Sequence, residues 1–161
     1  MHPAAPLPRS NNEPADVHVL LDPCPLKGTE VKAPDLRGLI PAPVTPFTRE
    51  GEVDYAAIQR LGSWLGSVPG VTGLTVLGHA GEGTFLSQDE QAKVIAAFKE
   101  SVGGRLPIIA GITLEGTQVA AEEAKRAVKA GASAGLVYPS HGWLRFGYQK
   151  GAPQDLSLIH I

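Results

Sequence analysis

Short apolar runs recur along this chain at intervals of roughly 28 to 35 residues, and a helical pattern follows each of the first three. The runs are Gly38 to Val44, Leu74 to Leu77, Leu106 to Ile112 and Ala134 to Tyr138. A strand, a helix and another strand at this spacing require a parallel sheet joined by right-handed crossovers, which makes the fold α/β. Two architectures satisfy that rule. A doubly wound sheet of four strands is complete at this length, whereas a (β/α)8 TIM barrel needs about 250 residues, so that about its first four βα units are present here.

The helices carry their own punctuation. Asp54 caps a first helix whose apolar side is Ile58, Leu61, Leu65 and Val68, and Pro69-Gly70 ends it. Ser87 and Glu90 form an S-x-x-E capping box ahead of Val94, Ile95, Phe98 and Val102, with Gly103-Gly104 as the stop. Thr117 is expected to cap a third helix, with Glu122 and Glu123 early, Lys125, Arg126 and Lys129 late, and Gly131 at its close. Pro41, Pro43 and Pro46 punctuate the first strand and suit one unpaired edge.

Residues 1–35 differ from the rest. They hold seven of the fourteen prolines and one of the nineteen glycines, which predicts a disordered leader without ladder or helix hydrogen bonds. Ordered structure is expected over 36–155. Residues 156–161, LSLIHI, match no neighbouring pattern and read as an out-of-pattern tail, as left by truncation or read-through. A net charge of -2 gives no footprint for nucleic acid or an anionic membrane. The single cysteine, Cys24, cannot form an internal disulfide, no apolar run is long enough to span a bilayer, and the N-terminus lacks a signal-peptide core; a cytoplasmic location is the default.

Chemistry concentrates between Gly73 and Glu90, GLTVLGHAGEGTFLSQDE. A strand runs into Gly78, Gly81 and Gly83, which are expected to let the backbone turn sharply and approach a ligand. His79 and Glu82 stand on that loop, where a parallel α/β fold places its active groups. GHAGEG is G-x-x-G-x-G, not the dinucleotide order G-x-G-x-x-G, and no acidic residue ends the next strand to hold a ribose. His79, Glu82 and His141 lack tight metal-ligand spacing, so no metal is expected.

Four segments carry a family resemblance: PAPVTPF at 41–47 with Val53-Asp54, LGHAGEGTFLSQDE at 77–90, LPIIAGI at 106–112, and GASAGLVYPS at 131–140. In this order and spacing the chain resembles the dihydrodipicolinate synthase / N-acetylneuraminate lyase family, the pyruvate-type class I aldolases on a (β/α)8 barrel. The likeness covers the first half of such a barrel. It implies that Gly78, His79, Ala80 and Gly81 form the loop that holds an α-keto acid carboxylate, with His79 and Ala80 where the family has two hydroxyl residues. Aligned on Pro139, the family's catalytic tyrosine is replaced by His141, an imidazole able to move protons at neutral pH. Thr45 and Glu82 are expected as structural residues beside the site.

The family's Schiff-base lysine lies on the sixth barrel strand, beyond this chain. Lys93, Lys99, Lys125 and Lys129 fall on predicted helices and Lys150 in the terminal loop, so the chain alone is expected to be inactive. The resemblance implies a lyase or aldolase without cofactor, acting on a small α-keto acid and forming a homo-oligomer when full length. A non-catalytic binding or assembly module on a half-barrel is the alternative.

Overall fold

The computed structural model describes residues 34–139. Nearly all of the leader, the segment holding His141 and Lys150, and the tail lie outside the described residues. Helix α1 is Tyr55–Ser67, strand β1 Leu74–Val76, helix α2 Gln88–Ser101, strand β2 Ile108–Ile112, helix α3 Thr117–Ala130 and strand β3 Ala134–Val137. The strands pair in parallel in the order β1-β2-β3, with Leu74 opposite Ile108 and Ile109 opposite Ala134.

Residues 38–44 extend this sheet on the β1 side. Leu39 bridges Val71 in parallel, Leu39 N–H donates to the Gly70 carbonyl, and the Leu39 and Pro41 carbonyls accept from Thr72 and Thr75. Pro41 and Pro43 have no N–H to donate, which is why this segment yields only an isolated bridge. Sequential strands are therefore spatial neighbours. The helices follow suit, α1 against α2 and α2 against α3. A doubly wound sheet would reverse strand order and divide its helices between two faces. Winding in one direction is an arc of a (β/α)8 barrel, and the fold is a partial TIM barrel.

The core lies between helices and sheet. Ile58, Leu74, Val76, Val94, Phe98, Val102, Ile108 and Ala110 are almost completely buried. Leu136 and Val137 are neighbours on β3 and so point to opposite faces, yet each is 43% exposed. β3 is thus open on both faces among the described residues.

Local signals set the helix starts. The Asp54 carboxylate accepts from Ala57 N–H at 2.8 Å. Both halves of the capping box form: Ser87 N–H donates to Glu90 at 2.8 Å, and Glu90 N–H donates to the Ser87 hydroxyl. The two Ser87 hydrogen bonds hold the Glu90 carboxyl below its ordinary value. At α3 the expectation needs correction. Gly116, at φ 104°, is the N-cap, and Thr117 is already the first helical residue. The acidic residues follow too late to serve the first turn: Glu122 pairs with Lys125 at 2.7 Å, and Glu123 is buried.

Candidate active site

The carboxyl ends of adjacent parallel strands deliver four segments to one rim of the arc: Val44-Thr45, Leu77 to Glu82, Thr113 to Glu115, and Tyr138-Pro139. The Leu77 to Glu82 loop is the most constrained. Leu77 leaves β1 at φ 58° and Glu82 sits at φ 53°, both left-handed, although neither is glycine. Such conformations cost on the order of 1–3 kcal/mol each and gather at functional sites. Between them lie His79, Ala80 and Gly81. His79 and Ala80 are exposed, while Gly78 and Gly81 are buried.

Glycine has a different task here from the one the sequence suggested. Gly78, Gly81 and Gly83 are absent from the positive-φ residues, so Leu77 and Glu82 make the turn. The glycines are required by crowding from the protein itself. The Leu77 carbonyl occupies the space that a methyl group would need on Gly83 or on Gly111 of β2. A methyl on Gly78 would stand 2.6 Å from the Tyr138 hydroxyl.

Three side chains fasten the rim. Thr45, 4% exposed, donates its hydroxyl to the Gly81 carbonyl at 2.6 Å. Gln91 reaches back from α2 and donates to the Gly83 carbonyl at 2.8 Å. Glu123 reaches from α3 to the end of β2, where its carboxylate accepts Thr113 N–H at 2.9 Å and Leu114 N–H at 3.0 Å. Sequence reasoning assigned Glu123 to the helix dipole. Its place between Ala120 and Ala127, at helical spacing on a buried stripe, was the available signal of an inward carboxylate.

Thr45 stands beside the loop through its bond to Gly81. Glu82 starts the 3-10 turn Gly83–Phe85 through its backbone, and its exposed side chain makes no capping bond there. The His79 imidazole lies against the Tyr138 ring, with centroids 4.4 Å apart and planes at 36°. Tyr138 was not singled out in the sequence, where Pro139 drew attention to the position two residues beyond it. His141 itself falls outside the described residues. Thr113 Oγ1 is buried at the end of β2 and has no hydrogen-bond partner among the described residues. No group of three His, Cys, Asp or Glu residues able to hold a metal occurs among the described residues, and none of their helices is long and apolar enough to cross a membrane.

An arc of parallel βα units with a strained, glycine-lined loop at the carboxyl ends of its strands is the active face of a TIM-barrel fold. The chain belongs to the dihydrodipicolinate synthetase family, whose sequence model matches residues 35–141. The 4-hydroxy-tetrahydrodipicolinate synthase of Rhodopseudomonas palustris (strain BisA53) is 44% identical over 104 residues, which make up 65% of this chain and 34% of that protein. Among solved structures, a dihydrodipicolinate synthase family protein from Coccidioides immitis superposes with a TM-score of 0.63 at 33% identity, over 70% of this chain and 37% of that one. The chloride-inhibited dihydrodipicolinate synthase of Acinetobacter baumannii, solved in complex with pyruvate, gives 0.59 at 35% identity, over 62% and 34%. The chain spans about a third of the length of the relatives it matches.

Proposed function

We infer that this chain is the N-terminal part of a lyase or aldolase that acts on an α-keto acid through a lysine Schiff base. The observation that carries the reading is the Leu77 to Glu82 loop, held strained at the carboxyl ends of the strands in a family with a pyruvate-bound member. All four lysines among the described residues stand on α2 or α3, away from any strand end, which supports the reading of a nucleophile in a later segment. Among the described residues the edge and faces of β3 are open, which suits a continuation of the barrel.

In this mechanism the backbone N–H groups of Gly78 to Gly81 and the His79 side chain bind the substrate carboxylate. The lysine amine adds to the keto carbon, water leaves, and the resulting protonated imine draws electrons from the adjacent carbon during bond formation or cleavage. His141 moves the proton that these steps require. Thr45 keeps the loop in place through the Gly81 carbonyl. A cytosolic setting and homo-oligomeric assembly of the longer protein belong to the same reading.

Two substitutions in the longer protein divide binding from turnover. A hydrogen bond from the His79 imidazole to a carboxylate is worth about 1.5–3 kcal/mol, so His79→Ala is expected to raise KM for the keto acid by roughly one to two decades. His141→Phe is expected to lower kcat with little change in KM. Parent-like kinetics in both variants would remove these assignments.

A further inference from the structure

We propose that Tyr138 supplies the hydroxyl that the substrate loop lacks, donating its phenolic O–H to the carboxylate held at Gly78 to Gly81. This inference rests on the α-keto acid reading above. The loop's own side chains offer no hydroxyl between Gly78 and Gly83, since His79, Ala80 and Glu82 occupy the intervening non-glycine positions. The fold returns one from the end of β3. β1 and β3 flank β2, so residues just past their carboxyl ends face each other across the end of the central strand. There the Tyr138 hydroxyl lies so close to Gly78 that a methyl on that residue would come within 2.6 Å of it.

The phenol is also positioned. Its ring rests against the His79 imidazole at a centroid distance of 4.4 Å, and Tyr138 N–H donates to the Ile112 carbonyl at 3.0 Å. Tyr138 is half-buried, so part of its surface stays open beside the loop. A carboxylate there would meet backbone N–H groups, an imidazole and a phenol together. That donor set suits a small planar α-keto acid.

The test is a pyruvate titration of the 15N-labelled 161-residue chain, followed by NMR at the Gly78, His79, Ala80 and Gly81 amides. Wild type should show saturable shifts at these amides. Tyr138→Phe keeps the ring against His79 and should leave the ligand-free spectrum in place. It should shift the same amides but need about tenfold more pyruvate for half-saturation. Saturation of Tyr138→Phe at the wild-type concentration would overturn the role of the phenol while leaving the loop as the site. A wild-type titration without shifts in this loop would remove the α-keto acid reading, and the phenol's role with it.

Discussion

Replacing Gly111 by alanine is expected to destabilise the chain by at least about 3 kcal/mol, the upper range for overpacking a core that cannot yield. Gly111 lies in the middle strand, and the space over its Cα is taken by the Leu77 carbonyl and, at 2.9 Å from the added methyl, the Gly78 nitrogen. Both are backbone atoms in a loop already held left-handed at Leu77, so no side-chain rotation can relieve the clash. Gly135 on β3 is the internal control. A methyl there meets Ile112 Cγ1 at 3.3 Å, a side-chain atom able to give way, and should cost less than about 1 kcal/mol. Denaturant unfolding of both variants measures the difference. Equal stabilities would mean that Leu77 does not press its carbonyl against β2.

Glu123→Ala is expected to cost about 2–5 kcal/mol. The substitution leaves Thr113 N–H and Leu114 N–H without their acceptor, one of them buried and the other half-buried. Glu123→Gln keeps the shape and one acceptor oxygen and should recover much of that loss. Glu122→Ala, one residue away, removes only an exposed pair with Lys125 and should change stability little. A Glu123→Ala variant as stable as Glu122→Ala would show that the carboxylate does not hold the end of β2.

These two residues also mark where the sequence stops being legible. The capping box at Ser87 and Glu90 is a contact between residues three apart, so its spelling alone announces it, and both of its hydrogen bonds form. The βα order was readable for the same reason, because apolar periodicity reports which residues each element buries. Gly111 and Glu123 are different. The first is a glycine inside an apolar run, and its reason is a carbonyl more than thirty residues earlier. The second resembles an ordinary helix charge until the crossover from β2 to α3 folds it back onto Thr113. Left-handed Leu77 was hidden too, since leucine is a residue that rarely adopts that conformation.

The site was legible as a location more than as a set of contacts. The strand, glycines and cap around Gly78 to Glu82 mark that loop in the sequence, whereas the hydrogen bond from Thr45 to the Gly81 carbonyl is visible only in the structure. Tyr138 went unnoticed because nothing in LVYPS shows that its hydroxyl returns to Gly78. Only the register of three parallel strands brings those residues together.

Borohydride trapping with pyruvate tests the central claim most directly, read by intact mass on the 161-residue chain and on the product of the reading frame continued past Ile161. The chain alone should gain no adduct. The continued product should gain one per protomer, on a lysine beyond Ile161, as expected for a Schiff-base aldolase divided after the first half of its barrel. A stoichiometric adduct on one of the helix lysines of this chain, or none in the continued product, would contradict the account.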